Sequence, residues 1–269
     1  MQPAIGARAV VRRNVMEFPG YALRTADEHL DDIRRAAEDA SQRVWPEFLR
    51  HGAVGRLHWA QLWTRFPEYQ YALVHDETGH IVAIGHSIPL AWRGPLQDLP
   101  PEGWEWAIAD GMRPSGRPRD TLSALAIIVL PDHQRKGLGR LMVQAMCDIG
   151  RRHGLGRLVV PLRPTLKSRY PLTPMDRYVG WRNEDGLPFD PWLRLHVRAG
   201  GSVRGVCPRA YTVEGTVDEW EEWTGMRLPE SGEYTVPGAL APIEVDADAD
   251  SVRYVEANVW VAHEVRGPR

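Results

Sequence analysis

The spacing of apolar and polar positions predicts a mixed order of strands and helices in the first half of the chain. Alternating or apolar runs predict strands over residues 9–15, 21–24, 69–75 and 81–89. Apolar or small residues at helical spacing predict a helix over 25–43, with Thr25 as its N-cap, and a shorter helix over 57–66. The segment Asp76-Glu77-Thr78-Gly79 joins two of these strands and is typical of a hairpin turn.

The second half continues with elements of both kinds. The pattern predicts strands over 121–130, 158–162, 202–206, 210–215 and 254–263. Helices are predicted over 138–153, 190–201 and 217–223. Segments 91–119 and 163–190 are rich in proline, glycine or tryptophan, and we expect them to be irregular insertions. No internal repeat is visible.

Composition places the chain among ordinary globular proteins. Of its 269 residues, 43% are hydrophobic and 25% are charged, and the net charge is −2. No global positive field therefore favours nucleic acid or an anionic membrane. No apolar run reaches the roughly 20 residues of a membrane helix, and no signal peptide is visible. Two cysteines, Cys147 and Cys207, form neither a disulfide framework nor a metal cage. We expect a cytoplasmic protein without a metal.

The most informative segment follows the strand at 121–130. Pro131 ends the apolar run, a basic turn from Gln134 to Gly139 follows, and a helix begins there. Backbone amides at a helix N-terminus, freed by glycine, favour a diphosphate. A P-loop would need its lysine after the second glycine, and a dinucleotide fingerprint would need a third glycine where Met142 stands. The remaining alternatives are a different diphosphate site and a glycine-rich turn without a ligand.

The pattern Val129-x-Pro131-x-x-Gln134-x-x-Gly137-x-Gly139 closely resembles the acetyl-CoA signature of the GNAT acetyltransferase superfamily. The order of predicted elements also matches that family. The resemblance implies an α/β fold with a mixed sheet, a GNAT-like acyltransferase fold. It covers residues 21–215, with insertions at 91–119 and 163–190. Residues 1–20 are then an N-terminal arm, and 216–269 are a C-terminal extension packed on the core.

The same resemblance implies which residues hold the co-substrate acetyl-CoA. In the family the pantetheine arm lies between two splayed strands, and the diphosphate lies on the loop that follows. The implied binding residues are Ile127, Ile128, Val129, Gln134, Arg135, Lys136, Gly137, Leu138, Gly139, Arg140, Arg163 and Lys167. The only two lysines of the chain are in this set, and an arginine-preferring genome would explain their rarity equally well.

The catalytic residues depart from the family pattern, because the strand at 121–130 carries no carboxylate to act as a base. Ser123 and His86 are candidates for a water relay that takes a proton from the amine. The alternative for His86 is a half-buried strand histidine without a catalytic role. Two residues are candidates for the acid that protonates the thiolate: Tyr170, by its spacing after the fifth strand, and His196, which stands four residues before Gly200. We favour Tyr170 because a phenol suits this role.

The sequence thus predicts an acyl-CoA-dependent N-acyltransferase that moves an acetyl group to a primary amine of a small molecule by direct attack in a ternary complex. Tryptophans in the insertions and on the helix at 217–223, Trp220 among them, are candidates for the acceptor pocket, and core packing is the alternative. Another acyl-CoA, an oxygen acceptor or an inactive CoA-binding sensor would fit the same motif. The sequence leaves open whether the protein is a homodimer.

Overall fold

The computed structural model describes residues 18–265, so the strand predicted over 9–15 and most of the predicted N-terminal arm lie outside the described residues. The strands are β1 (Tyr21–Thr25), β2 (Gln70–His75), β3 (Ile81–Leu90), β4 (Thr121–Val129), β5 (Arg157–Leu162), β6 (Ser202–Gly215), β7 (Gly232–Tyr234), β8 (Ile243–Asp246) and β9 (Ser251–Glu264). The helices are α1 (Ala26–Val44), α2 (Ala53–His58), α3 (Leu62–Arg65), α4 (Gly103–Met112), α5 (Leu138–Arg152), α6 (Met175–Val179), α7 (Pro191–Arg198) and α8 (Val217–Thr224).

One mixed sheet organises the described residues. Its strands follow the order β1-β2-β3-β4-β5-β9-β8-β7, and β6 pairs with the other edge of β9. The pairing of β4 with β5 is parallel, whereas every other strand pair is antiparallel. The predicted mixed α/β fold is confirmed. The neighbour of β5 is β9, so the strand that we assigned to the C-terminal extension lies inside the sheet.

Helices cover both faces of this sheet. Adjacent residues of a strand point to opposite faces of the sheet. The neighbours Tyr71 and Ala72 of β2 therefore identify the two faces. Tyr71 donates to the carbonyl of Met142 on α5, whereas Ala72 packs with Ile33 of α1. We call the two sides the α5 face and the α1 face. Helix α4 lies on the α1 face, because Ile88 touches the position of its Gly111.

Three local predictions are wrong, and one of them is the irregular insertion 163–190, which contains the short helix α6. The insertion 91–119 contains the helix α4, which is apolar on most of its circumference and so lacks the stripe that reveals a helix in sequence. The helix predicted over 57–66 is two short helices, α2 and α3, joined by a 3₁₀ turn. Residues 202–215 form one strand that bulges near Gly205 and beyond Cys207.

The C-terminal residues add a second apolar cluster. Trp220 of α8 is fully buried and stacks on Phe48, with Tyr254 beside it. The expectation that Trp220 lines an acceptor pocket is therefore wrong, because its indole belongs to the core. None of the helices in the described residues combines the length and the apolar character that a membrane span requires.

Candidate active site

The parallel strands β4 and β5 separate after three residue pairs. Thr121, Leu122 and Ser123 pair with residues 157–159, and in the described chain no further pair joins the two strands. Strand β4 nevertheless continues beside β3 as far as Val129, and β5 continues beside β9 as far as Leu162. The two strands therefore open into a wedge, whose vertex is Ser123. The facing edges offer unpaired backbone donors and acceptors to a ligand.

A β-bulge lies just beyond the vertex of this wedge. Ala124 pairs with Ser87 and Ala126 pairs with His86, so Leu125 is an extra residue opposite no partner on β3. Its carbonyl accepts a hydrogen bond of 2.8 Å from the indole nitrogen of Trp104 on α4. Bulges redirect backbone groups locally, and here the bulge joins the opening of the wedge to the insertion that carries α4.

The loop between β4 and α5 has the geometry that the sequence predicts for an anion site. Gly137 is the N-cap of α5 with φ of +79°, and Arg135 also has a positive φ, of 62°. Left-handed residues let successive N–H groups converge on an anion. Within residues 18–265, the N–H groups of positions 135–139 find no acceptor. Exposed cationic side chains surround them, and these are Arg135, Lys136 and Arg140.

The two glycines of this loop have different surroundings. A Cβ on Gly137 would meet no atom within 4 Å, so its position opens to the outside of the loop. A Cβ on Gly139 would lie 3.1 Å from the ring of Trp192 on α7. Gly139 therefore allows α7 to pack closely on α5. Leu138 between them is buried and anchors the turn, and the Gln134 side chain donates to the carbonyl of Val129 at 3.3 Å.

The predicted strand residues divide between the two faces. Ile128 is buried in the cluster that contains Ile33 of α1, whereas Ile127 and Val129 are half-buried against the main core. A pantetheine arm in the wedge would therefore meet their backbone, as predicted, and their side chains would serve as walls.

Two predicted CoA contacts are already engaged with protein groups. Lys167 is 1% exposed, and its ammonium group donates to the carbonyls of Tyr170, at 2.8 Å, and Leu240. Burial lowers its pKa. Arg163 donates to both oxygens of the buried Glu256 at 3.0 and 2.9 Å and to the carbonyl of Gly238. Both cations connect the segment after β5 to the C-terminal residues, and neither is free to contact a phosphate in this arrangement.

Ser123 and His86 lie close to the wedge on the same face. Ser123 pairs with Ile88, and His86 stands two residues before Ile88 on β3, so both side chains point to the α1 face. The Ser123 hydroxyl is buried and donates to the adjacent carbonyl of Ala124 at 3.2 Å. The His86 ring is buried beside Trp59 and Trp63, with centroid distances of 4.8 and 5.2 Å.

The two candidate acids have different surroundings. Tyr170 is 36% exposed and lies in an aromatic cluster with Tyr178, Trp181 and Phe189. His196 of α7 is buried, and its Nδ1 lies 2.9 Å from Nε2 of His263 on β9. Burial, together with His263, lowers the pKa of His196 to about 3. The structure thus does not bring the two residues together, and the choice between them stays a prediction.

One residue near His86 was missed in the sequence, and a second was predicted only as one of the tryptophans of the insertion 91–119. Gln70 at the start of β2 is fully buried and lies against His86, and Trp104 binds the bulge. A polar side chain at the head of the apolar run Tyr-Ala-Leu-Val was the available signal for Gln70. Trp104 was among the candidates for the acceptor pocket, but its bond to the bulge was not predictable because its helix was not predicted.

Comparison with known proteins agrees with this geometry. Residues 35–167 match the model of the acetyltransferase (GNAT) family. The arginine N-acetyltransferase avaD of Aspergillus versicolor is 34% identical over 277 residues, covering 92% of this chain and 95% of that protein.

Two solved structures share the fold. One is the loading GNATL domain of CurA from Lyngbya majuscula, with a TM-score of 0.57, 18% identity and coverage of 91% of this chain and 98% of that one. The other is the GphF GNAT-like decarboxylase in complex with isobutyryl-CoA, with a TM-score of 0.56, 21% identity and coverage of 91% and 100%. The match to the family model and the similarity to avaD, with which the wedge and the loop agree, show that the chain belongs to the GNAT family and is an N-acetyltransferase.

Proposed function

We propose that this enzyme transfers the acetyl group of acetyl-CoA to an amine nitrogen of arginine or a similar small cationic molecule. The observation that supports this most strongly is the wedge between β4 and β5, which opens beside a loop of unpaired amides. The acceptor is suggested by the relative avaD, an arginine N-acetyltransferase, which the chain matches over nearly its whole length.

The residues around the wedge suit acetyl-CoA as co-substrate. The amides of positions 135–139 and the cations Arg135, Lys136 and Arg140 would bind the diphosphate. The free edge of β4 around Ile127 and Val129 would pair with the pantetheine arm. The thioester would then lie toward the vertex at Ser123, where an unpaired strand amide is able to stabilise an oxyanion.

The α1 face supplies surroundings suited to a cationic acceptor. The rings of Trp59 and Trp104 are stacked at 6.1 Å, and aromatic faces attract cations. Glu105, next to Trp104 on α4, is half-buried and accepts from the backbone N–H of Thr212 at 2.8 Å. It forms no ion pair within residues 18–265. Burial raises its pKa, and a guanidinium group would compensate that burial.

Release of free thiol from acetyl-CoA with arginine, other amino acids and neutral amines tests the proposal, and mass spectrometry of the product identifies the acetylated nitrogen. We expect turnover with arginine and a higher KM for arginine in Glu105→Gln, with the KM for acetyl-CoA unchanged. Turnover only with a longer acyl-CoA or an alcohol would contradict the assignment of donor or acceptor. Tight CoA binding without thiol release for any acceptor would indicate an inactive sensor.

A further inference from the structure

The buried Gln70 makes three hydrogen bonds that fix the orientation of its amide. Its nitrogen donates to the carbonyl of Phe66 at 2.8 Å and to the carbonyl of Ser87 at 3.0 Å. Both acceptors are backbone oxygens, which cannot donate, so the group that faces them must be the NH₂. The Oε1 of Gln70 consequently points the other way, toward Nδ1 of His86 at 3.1 Å.

This orientation determines which nitrogen of His86 carries the proton. An amide oxygen only accepts, so Nδ1 of the ring must be the donor in the contact with Gln70. A neutral imidazole carries one proton, and the other nitrogen, Nε2, therefore presents a lone pair. Burial lowers the pKa of His86 to about 3, so the ring is neutral at ordinary assay pH.

The lone pair on Nε2 of His86 is buried, and within residues 18–265 it lacks the hydrogen-bond donor that such an acceptor normally has. Among the described residues no donor contacts this nitrogen. Buried polar atoms nearly always bind a protein group, a water or a ligand. The ring lies between Trp59 and Trp63, and both it and Gln70 are fully buried. Its partner across the sheet, Ala126, belongs to the part of β4 that has separated from β5.

We infer that Gln70 holds His86 in the Nδ1–H tautomer, and that Nε2 of His86 is the hydrogen-bond acceptor that orients the attacking amine, directly or through one water. This inference rests on the proposed function, and it makes His86 a catalytic residue and Gln70 a positioning residue.

The reaction balances with these groups. The neutral amine nitrogen attacks the thioester carbon, an N–C bond forms, and the C–S bond breaks with its electron pair leaving on sulfur. Nε2 accepts a hydrogen bond from the amine N–H, directly or through the water, and the proton that the nitrogen loses passes to solvent. A proton from solvent or an acid joins the thiolate, giving the amide and free CoA thiol. Apart from the acyl donor and the amine, no co-reactant is required.

The first experiment measures the tautomer itself. Long-range proton–nitrogen correlation spectra of the full chain labelled with ¹⁵N-histidine should show, for His86, a protonated Nδ1 and an unprotonated Nε2. Assignment uses the loss of that signal in His86→Gln. An Nε2–H tautomer in the unaltered protein would overturn the inference. The measurement does not need turnover, so it separates this inference from the proposed function, which fails if no amine is acetylated.

The second experiment measures catalysis. A hydrogen bond contributes about tenfold to an equilibrium or rate, so His86→Gln should lower kcat at least about tenfold, with the KM for acetyl-CoA within about twofold. Gln70→Met keeps the volume but removes the acceptor, and we expect a mixture of both tautomers and a fall in kcat of about tenfold or more.

His75→Gln is the matched control, because His75 lies on the same strand as Gln70 and is half-buried, yet it contacts Tyr21 at the far edge of the sheet. We expect unchanged kinetics. If His86→Gln keeps full kcat, or if Gln70→Met loses kcat while His86 retains a pure Nδ1–H tautomer, the inference is wrong. Should a Gln70 variant fail to fold, the tautomer of the unaltered protein still decides the question.

Discussion

The hydroxyl of Tyr71 donates to the backbone carbonyl of Met142 at 2.7 Å, which joins strand β2 to helix α5 across the intervening strand β3. The tyrosine ring reaches the helix because its neighbour on β3 is Gly85. A Cβ at that position would lie 2.2 Å from the ring. The helix that begins at the predicted diphosphate loop is thereby fixed to the sheet at its middle.

Gly85→Ala should therefore destabilise the protein. The added methyl group must displace a buried ring, and overpacking of this kind costs about 1–3 kcal/mol of unfolding free energy. Urea denaturation measures the change. Gly116→Ala is the control, since a Cβ there meets nothing within 4 Å, and its effect should stay within about 0.5 kcal/mol. Equal stability of the two variants would show that the ring moves aside freely.

Gly137→Glu tests the diphosphate loop. The change places a negative charge at the N-terminus of α5, where a phosphate is expected, and we predict that the affinity for acetyl-CoA falls at least tenfold, about 1.4 kcal/mol. Calorimetry measures this directly. Gly154→Glu is a matched control, because Gly154 has nearly the same backbone conformation, with φ of +75°, and equally open surroundings beyond the other end of α5. Similar losses in both variants would contradict the assignment.

Substitution of the two lysines should have opposite effects: one change weakens acetyl-CoA binding, and the other lowers stability. Lys136 is exposed in the loop, so Lys136→Met should weaken acetyl-CoA binding and leave stability nearly unchanged. Lys167→Met removes a buried ammonium group from the carbonyls of Tyr170 and Leu240. It should lower the unfolding free energy by about 1–3 kcal/mol, because buried acceptors lose their donor. Paired denaturation and binding measurements check both. A large loss of affinity in folded Lys167→Met would restore the original assignment of this residue to CoA.

Tyr170 remains the predicted acid. Tyr170→Phe keeps the ring in its aromatic cluster and removes only the proton donor, so turnover should fall about 10²- to 10⁴-fold while acetyl-CoA binding persists. Steady-state kinetics and calorimetry separate the two effects. Tyr234→Phe removes a hydroxyl that binds the carbonyl of Glu230 in the C-terminal residues and should leave kcat unchanged. If His196→Ala shows the loss and Tyr170→Phe does not, the order of the two candidates is wrong.

Acid should destabilise the protein through its buried histidines. Burial lowers the pKa of both His86 and His196 to about 3, against about 6.5 in an unfolded chain. Between these values the unfolded state binds more protons, so their contribution is present above pH 6.5 and is lost as the pH falls toward 3. Each histidine adds a slope of about 1.4 kcal/mol per pH unit in that window.

Denaturation curves between pH 7 and 4.5 measure this slope. His196→Gln should make it shallower by one proton's contribution, whatever the variant does to stability at pH 7. Replacing the exposed His153 serves as the comparison. A slope that is the same in the His196 variant and the unaltered protein would mean that the imidazole is charged in the folded state.

The sequence predicted the parts of the site that depend on neighbouring residues. The strand β4, the loop and α5 follow one another directly, so periodicity and the glycine motif were sufficient to predict them. Helix α4 was missed because it is apolar on nearly all sides and contains two glycines, Gly103 and Gly111. The engagement of Arg163 and Lys167 was not predictable, since their partners Glu256 and Leu240 lie more than seventy residues further along the chain.

Pairing between distant segments also explains why the sequence did not predict the order of strands in the sheet. The register of β5 with β9 joins residues about a hundred positions apart, and no local pattern encodes that choice. Gln70 and His86 are sixteen residues apart, on strands that were both predicted, but the register that brings them together was not. Side-chain geometry, rather than spacing, then revealed the tautomer.

The place of β9 in the sheet has a consequence for biosynthesis. A ribosome releases β5 and β6 long before β9, the strand that pairs with both. During that interval β5 has one open edge and β6 has no partner on the sheet, and open edges favour association between nascent chains. Long-range pairing of this kind also slows folding. We therefore expect the nascent chain to depend on chaperones until β9 emerges, and slower translation just before β9 would lengthen its exposure to aggregation.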